Sequence, residues 1–142
     1  MQHSADGRHG PFGAVICKNE QIIAEGWNKV VSASDPTAHA EITAIRRACK
    51  QLNSIDLSGC TIYCSCEPCP MCLAAIYWAK LDKIVFAATH KDAAAAGFND
   101  SYYYEEIGKS WEQRTLLWKQ ELRDEGRRVF EAWCLNPNKV EY

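Results

Sequence analysis

Two stretches of this sequence decide its fold: Thr37-Ala38-His39-Ala40-Glu41 and Glu67-Pro68-Cys69-Pro70-Met71-Cys72. Each lies near the beginning of a predicted helix that follows a predicted strand. Pro70 suits the first position of a helix, because its missing N–H breaks no helical hydrogen bond there. The other helix is predicted over residues 36–52. A strand–helix unit that occurs twice is typical of an α/β fold.

The hydrophobic pattern predicts the order β-β-α-β-α-β up to residue 88. The predicted strands are 14–18, 21–28, 61–66 and 83–88, and the predicted helices are 36–52 and 70–80. Asn19-Glu20 joins the first two strands as a tight hairpin. A loop over 89–101 and helical segments at 102–107, 111–123 and 127–135 follow. The length fits one domain, 1–142, and this order predicts a three-layer α/β/α sandwich.

Charge and hydropathy exclude several classes of partner. Residues 1–88 contain eight basic and eight acidic side chains, and residues 89–142 contain eight and ten. Neither part has the excess of Lys and Arg that nucleic-acid binding needs. No signal peptide is apparent, and the longest apolar run is too short to cross a membrane. We therefore expect no nucleic-acid or membrane partner, and a cytoplasmic location where the eight cysteines are thiols.

His39, Cys69 and Cys72 are the predicted metal ligands. Catalytic zinc sites use three protein ligands and keep one position for water, whereas structural sites use four. Cys66 leaves an alternative open, because Cys66 and Cys69 have the same spacing as Cys69 and Cys72. Pro70 favours the later pair, since it places both thiols on one face of a first helical turn. The helix dipole there stabilises thiolates.

Glu41 is the predicted proton carrier. We expect His39 in the first turn of its helix, and a step of two residues rotates a side chain by about 200° around the axis. His39 and Glu41 can therefore converge only on a pocket beyond the N-terminal end of the helix. One would bind the metal while the other faces water and substrate.

The sequence resembles the cytidine-deaminase-like superfamily, whose signature is His-x-Glu followed by Pro-Cys-x-x-Cys. That resemblance rests on Pro11-Phe12-Gly13-Ala14, His39-Ala40-Glu41 and Glu67-Pro68-Cys69-Pro70-Met71-Cys72. Within the superfamily the chain is similar to the small bacterial guanine deaminases. This closer similarity rests on three stretches: residues 35–41, residues 90–104 with Ala96-Gly97-Phe98-Asn99-Asp100, and the ending Lys139-Val140-Glu141-Tyr142.

The resemblance implies a mixed central sheet, one Zn²⁺ per chain and the hydrolysis of guanine to xanthine and ammonia. It also implies a homodimer in which residues of about 101–142 are swapped between subunits. Glu41 and Asp100 would be the catalytic residues, with Asp100 relaying protons to the leaving amine. The implied contacts to the purine are Asn28, Phe12, Ala40, Asp100 and Tyr142, the last as a lid.

Two other functions stay open at this point. One is a deaminase of another base or nucleoside, such as guanosine, cytosine or adenosine in tRNA. The other is a non-catalytic, zinc-stabilised binding module, which would need a fourth protein ligand and has no use for Glu41.

Proteins of this family normally begin with a helix before the Pro-Phe-Gly-Ala motif. Ten polar residues precede Pro11 here. Either the start of the sequence is misassigned or truncated, or the helix is missing, and its loss would expose apolar sheet surface.

Overall fold

The structure, a computed structural model, describes residues 9–141. The expected absence of an N-terminal helix and the lid role of Tyr142 concern residues outside this range. The chain divides into two compact units, of which the first ends at Tyr104 and the second begins at Glu105. The single-domain organisation and the swapped segment stay predictions.

The elements of the described residues follow the predicted order up to β4, except for a short helix at Val30–Ala33 that was not predicted. The strands are β1 (Gly13–Lys18), β2 (Gln21–Trp27), β3 (Cys60–Cys66) and β4 (Lys83–Ala88). The helices are α1 (Val30–Ala33), α2 (Ala40–Leu52), α3 (Pro70–Trp78), α4 (His90–Ala95), α5 (Ser101–Gly108) and α6 (Arg123–Leu135), with a 3₁₀ turn at Trp111–Gln113. Among residues 9–141 no helix is both long and apolar enough to cross a bilayer.

The four strands form one mixed sheet in the order β2-β1-β3-β4. β1 is antiparallel to β2 and to β3, whereas β3 and β4 are parallel. This arrangement confirms the predicted α/β class with a mixed central sheet. Asn19 and Glu20 have φ of 48° and 64°. Left-handed backbone at both central residues is the geometry that a two-residue hairpin requires, so the predicted turn is present.

The core of the first unit lies between one face of the sheet and helices α2 and α3. Alternate β3 residues, Cys60, Ile62 and Cys64, are buried, whereas Tyr63 on the opposite face is 46% exposed. The α2 face that meets the sheet consists of alanines at helical spacing, Ala40, Ala44 and Ala48, all fully buried. Small side chains let the helix axis approach the strands closely.

The beginning of α2 differs from the prediction. The helix begins at Ala40 and not at Pro36. The reason is a local turn, in which an Asp35 carboxylate oxygen accepts the backbone N–H of Thr37 at 2.8 Å and its hydroxyl at 2.7 Å. Asp and Asn side chains that bond the backbone two residues on stabilise turns in preference to helix. Residues 36–39 are therefore a loop that leads into the helix.

Two predictions beyond β4 are wrong. Residues 90–95, predicted as a loop, form α4, since Thr89 and Asp92 make a reciprocal capping box at its start. Residues 111–123, predicted as one helix, contain only the short 3₁₀ turn before α6 begins at Arg123. Arg114 there is extended, and its guanidinium donates to the carbonyls of Ile107 and Lys109 at the end of α5. Those bonds stabilise the non-helical path.

Gly26 provides a test of the close contact between β2 and α2. A Cβ on Gly26 would lie 2.1 Å from the Ala40 carbonyl oxygen, which is backbone and cannot move aside. Gly26→Ala should lower the free energy of unfolding by at least about 1–3 kcal/mol, the usual effect of overpacking. Gly13→Ala is the matched control, since its Cβ would meet no atom closer than 3.8 Å. Urea denaturation of both variants measures the difference, and equal stabilities would contradict this packing.

Candidate metal centre

His39 and Cys69 occupy equivalent places at the starts of two helices. His39 is the N-cap of α2, with φ −66° and ψ 164°, and Cys69 is the N-cap of α3, with φ −65° and ψ 167°. Pro70 is at the first position of α3, as predicted, and Cys72 follows in the same turn. The expected place of His39 within the first helical turn is corrected by one residue, because α2 begins later. Both candidate ligands therefore stand immediately before the first residue of a helix.

The three predicted ligands come together. Nδ1 of His39 lies 3.6 Å from Sγ of Cys69 and 3.6 Å from Sγ of Cys72. All three donor atoms lie within 4.8 Å of one another. Zinc bonds of about 2.0 Å to nitrogen and 2.3 Å to sulfur, at a tetrahedral angle, would place the donors about 3.6 Å apart. The donor set fits zinc in chemistry and in spacing.

The thiol pair has the electrostatics of a cation site. Hydrogen bonding by Cys72, with a further contribution from His39, lowers the pKa of Cys69 to about 4. The pKa of Cys72 is raised, first by its hydrogen bond to Cys69 and then by burial and the Glu41 carboxylate. The pair thus gives up one proton readily and the second only against nearby negative charge. A bound dication removes that obstacle and favours two thiolates.

Cys66 has a different environment. Its thiol donates to the Thr89 carbonyl at 3.5 Å, and burial raises its pKa. Among residues 9–141 the cluster of possible metal ligands consists of His39, Cys69 and Cys72, without Cys66. The geometry therefore favours the later Cys-x-x-Cys pair over the earlier one.

Glu41 lies in the first turn of α2 and is 7% exposed. Its Oε2 is 3.4 Å from Sγ of Cys72. Burial is the largest cause that raises the pKa of the carboxyl. A carboxylate with a raised pKa beside a metal site is suited to accept and return a proton near neutral pH. His39 and Glu41 both line one cavity, so they converge in the way the helical period predicts.

The cavity has a volume of about 530 Å³, within the usual range for small-molecule sites. Its lining includes most of the predicted site residues and several others: Gly10, Phe12, Asn28, Val30, Val31, His39, Glu41, Glu67, Cys69, Gly97, Phe98, Asn99, Asp100 and Tyr103. Ala40 is fully buried against Gly26 and is not in this lining. The contact role of Ala40 stays a prediction.

The remaining predicted contacts surround the cavity. The rings of Phe12 and Phe98 meet edge to face, with centroids 5.0 Å apart. Asn28 is 9% exposed, and its Oδ1 accepts the Val30 N–H at 3.2 Å. Asp100 lies immediately before α5, and burial followed by the charge of Cys69 raises its pKa.

Sequence reasoning missed Phe98, Tyr103 and Glu67 as cavity residues. Phe98 and Tyr103 lie in the 90–104 stretch that resembles guanine deaminases, and Glu67 stands in the cysteine motif. The sequence shows which residue types stand there. Whether these side chains point into the cavity depends on α4 and on Gly97, whose φ is 93°. A loop prediction for residues 89–101 gives no such direction.

Fold and site together define a zinc-binding deaminase. The family model described as the cytidine and deoxycytidylate deaminase zinc-binding region matches residues 1–88, and the chain belongs to this family. The chain is 55% identical to guanine deaminase of Bacillus subtilis over 136 residues, which cover 96% of this chain and 87% of that one. The predicted superfamily membership is confirmed.

Solved structures agree with this assignment. An X-ray structure of guanine deaminase from Bacillus subtilis has a TM-score of 0.96 and 53% identity, covering 99% of this chain and 90% of its own. The structure of a guanine deaminase from Nitrosomonas europaea has a TM-score of 0.66 and 34% identity, covering 70% of this chain and 58% of its own. By sequence, the chain is also similar to a tRNA-specific adenosine deaminase of Aquifex aeolicus. The identity is 44% over 81 residues, which cover 57% of this chain and 54% of that one.

Replacement of the predicted ligands one at a time tests the ligand set. Cys69→Ser, Cys72→Ser and His39→Ala should each lose zinc, because each removes one of three converging donors. Cys66→Ser should keep zinc, since its thiol bonds a backbone carbonyl. Elemental analysis of the folded variants gives the metal content. A folded Cys66→Ser protein without zinc would show that the wrong cysteine pair has been assigned.

Proposed function

We propose that this chain catalyses the hydrolytic deamination of guanine to xanthine and ammonia, with one zinc ion per chain. The main observation is the convergence of His39, Cys69 and Cys72 beside a cavity whose lining includes His39, Cys69 and the buried carboxylate of Glu41. Three ligands leave one coordination position for water. The 55% identity to a guanine deaminase over nearly the whole chain supports guanine as the substrate.

Zinc bound by His39, Cys69 and Cys72 would lower the pKa of a water molecule to about 7. Glu41 is placed to accept a proton from water as the water oxygen attacks C2 of guanine, the carbon that bears the amino group. Glu41 then delivers this proton to the adjacent ring nitrogen. The second water proton, now on the C2 hydroxyl, is passed by Glu41 or Asp100 to the amine, which leaves as ammonia while the hydroxyl becomes the carbonyl. The water oxygen thus ends in the C2 carbonyl of xanthine, one of its protons on the ring nitrogen and the other on ammonia.

The cavity offers matched contacts for a planar, polar base. Phe12 and Phe98 provide aromatic surface, with which a flat ring interacts favourably. Asn28 uses its Oδ1 on Val30, so its amide N–H groups are the donors for the purine. Asp100 accepts hydrogen bonds from N–H groups of the base. Ala40 contributes its backbone, since the first N–H groups of a helix have no intrahelical acceptor.

The charge of the cavity disfavours the RNA alternative. Its described lining contains three carboxylates, Glu41, Glu67 and Asp100, and no lysine or arginine. A polynucleotide would place its phosphates against that negative charge. The binding-module alternative is disfavoured by the ligand count, because no fourth His, Cys, Asp or Glu of residues 9–141 joins the cluster. Such a module also gives no reason for burying Glu41.

The proposal includes a homodimer in which residues of about 101–142 are exchanged and Tyr142 closes the partner's cavity. The second unit exposes large apolar side chains on α6, including Val129, Phe130 and Leu135. Apolar surface of this kind is typical of segments that pack against another chain. We also place the protein in the cytoplasm, where a site with two thiolates stays reduced.

A substrate panel tests the assignment. We expect ammonia release from guanine to exceed that from cytosine and from adenine by at least about 10²-fold, because each wrong base leaves buried polar groups unpaired. A coupled ammonia assay across guanine, guanosine, cytosine and adenine measures the ratios. Turnover of cytosine equal to that of guanine would place the chain in another branch of its family.

Glu41→Gln tests the proton carrier. Glutamine keeps the size of the side chain and can still form hydrogen bonds, but it cannot accept the proton from water. We expect kcat on guanine to fall by at least about 10²- to 10⁴-fold, the usual contribution of a general acid–base group. Zinc content should be unchanged, since Glu41 is not one of the converging ligands. Near-normal turnover would exclude Glu41 as the carrier.

A further inference from the structure

The loop that leads into the ligand Cys69 is bonded to the end of β4 and the start of α4. The Glu67 N–H donates to the Ala88 carbonyl at 2.8 Å. Oε2 of Glu67 accepts the backbone N–H of His90 at 3.0 Å and lies 2.7 Å from its ring Nδ1. A carboxylate that binds two groups of one residue fixes that residue in a single orientation. The position of the loop is thereby set relative to the sheet.

Tyr104 bonds the same loop to α5. Its hydroxyl donates to the carbonyl of Pro68, the residue before Cys69, at 2.8 Å. Its ring centroid lies 5.9 Å from that of His90. Its backbone N–H lies 3.4 Å from the carbonyl oxygen of Asp100, one helical turn earlier. Asp100 is thereby tied to the first turn of α5, and Tyr104 of that turn is bonded to the loop before Cys69.

We propose that Tyr104 is a positioning residue, which holds the Asp100 carboxylate at its working distance from the metal ligands by anchoring α5 to the Pro68 carbonyl. This inference rests on the proposed function, in which Asp100 contacts the purine and relays a proton. Tyr104 does not belong to the cavity lining, so its effect reaches the substrate through Asp100. The Glu67–His90 contact supports the anchor by fixing the loop.

Tyr104→Phe removes the hydroxyl and keeps the ring beside His90. We expect kcat/KM for guanine to fall by about 10- to 100-fold, mainly through kcat, since a displacement of about 1 Å in a reacting group has an effect of this size. Zinc content should be unchanged. Tyr102→Phe is the matched control, because it deletes the same atom from the same helix on a 47% exposed side chain outside the cavity lining. Its kinetics should equal those of the wild type.

A double-mutant cycle with Asp100→Asn separates positioning from a general structural role. Two residues that act as one unit have non-additive effects, so Tyr104→Phe should slow the Asp100→Asn enzyme little further. Full additivity, or normal kinetics of Tyr104→Phe alone, overturns the proposal. If Tyr104→Phe does not fold or loses zinc, Glu67→Gln replaces it in the same cycle, because it weakens the other anchor of the loop. Additive effects there overturn the proposal equally.

Amide hydrogen exchange tests the anchor without any turnover. The N–H groups of Tyr103 and Tyr104 both point to the Asp100 carbonyl, at 3.0 and 3.4 Å. Exchange over residues 99–105 should be faster in Tyr104→Phe and unchanged in Tyr102→Phe. Equal exchange in the two variants overturns the anchor. A wild-type protein that is inactive on guanine refutes the proposed function, whereas the exchange difference would still support the anchor.

Discussion

The contact of His39 Nδ1 with the thiols of Cys69 and Cys72, at 3.6 Å each, requires the N-terminal ends of α2 and α3 to meet at one point. The two helices are separated in sequence by strand β3. Their meeting depends on the alanine face of α2 and on Gly26, where the backbones touch. A methyl group at that place would move His39 away from the thiols. The packing of the sheet is therefore a condition for the metal centre.

Negative charge is concentrated in a partly buried environment where the N-terminal ends of α2 and α3 meet. The Cys69 thiol and the carboxyls of Glu41 and Asp100 line one cavity, and the Cys72 thiol lies 3.4 Å from Oε2 of Glu41. Burial raises the pKa of Glu41 and of Asp100, and the charge of Cys69 raises both further. Buried charges of one sign are unfavourable unless a counter-charge is present. A dication satisfies this requirement and keeps the thiols ionised. The repulsion between these groups and the affinity of the site for a dication thus have the same origin.

The contacts that position Asp100 at the cavity differ from those that position the candidate metal ligands. The ligands stand at helix N-termini packed on the sheet, whereas Asp100 precedes α5 and depends on contacts between loops. The capping box of α4 and the Pro68–Tyr104 hydrogen bond set the direction of that segment. Such contacts involve few buried apolar atoms, so this side of the cavity is the part where small changes alter geometry without unfolding the core.

Local residue chemistry was sufficient to predict the positions of the four strands along the chain, the hairpin at Asn19-Glu20 and the N-terminal position of Pro70. Each of these depends on neighbours along the chain, such as alternation, turn conformation and a missing N–H. Motif spacing likewise predicted the ligand set and left the choice between Cys66 and Cys72 to the position of one proline. The prediction that α2 begins at residue 36 failed because the Asp35 side chain binds the Thr37 backbone instead.

Only the tertiary structure decided which further side chains face the cavity. No sequence pattern marks Phe98 or Glu67 as cavity residues. The side chain of Phe98 is directed by the left-handed backbone of Gly97, and that of Glu67 by its hydrogen bond from His90. Residues 111–123 have helical hydrophobic spacing, yet Arg114 is extended and bonds the end of α5, so the segment does not continue as a helix. The sequence alone determined which residues are the candidate metal ligands and the candidate proton carrier, because those residue types and spacings are local. The shape of the cavity needed long-range contacts, which no local pattern encodes.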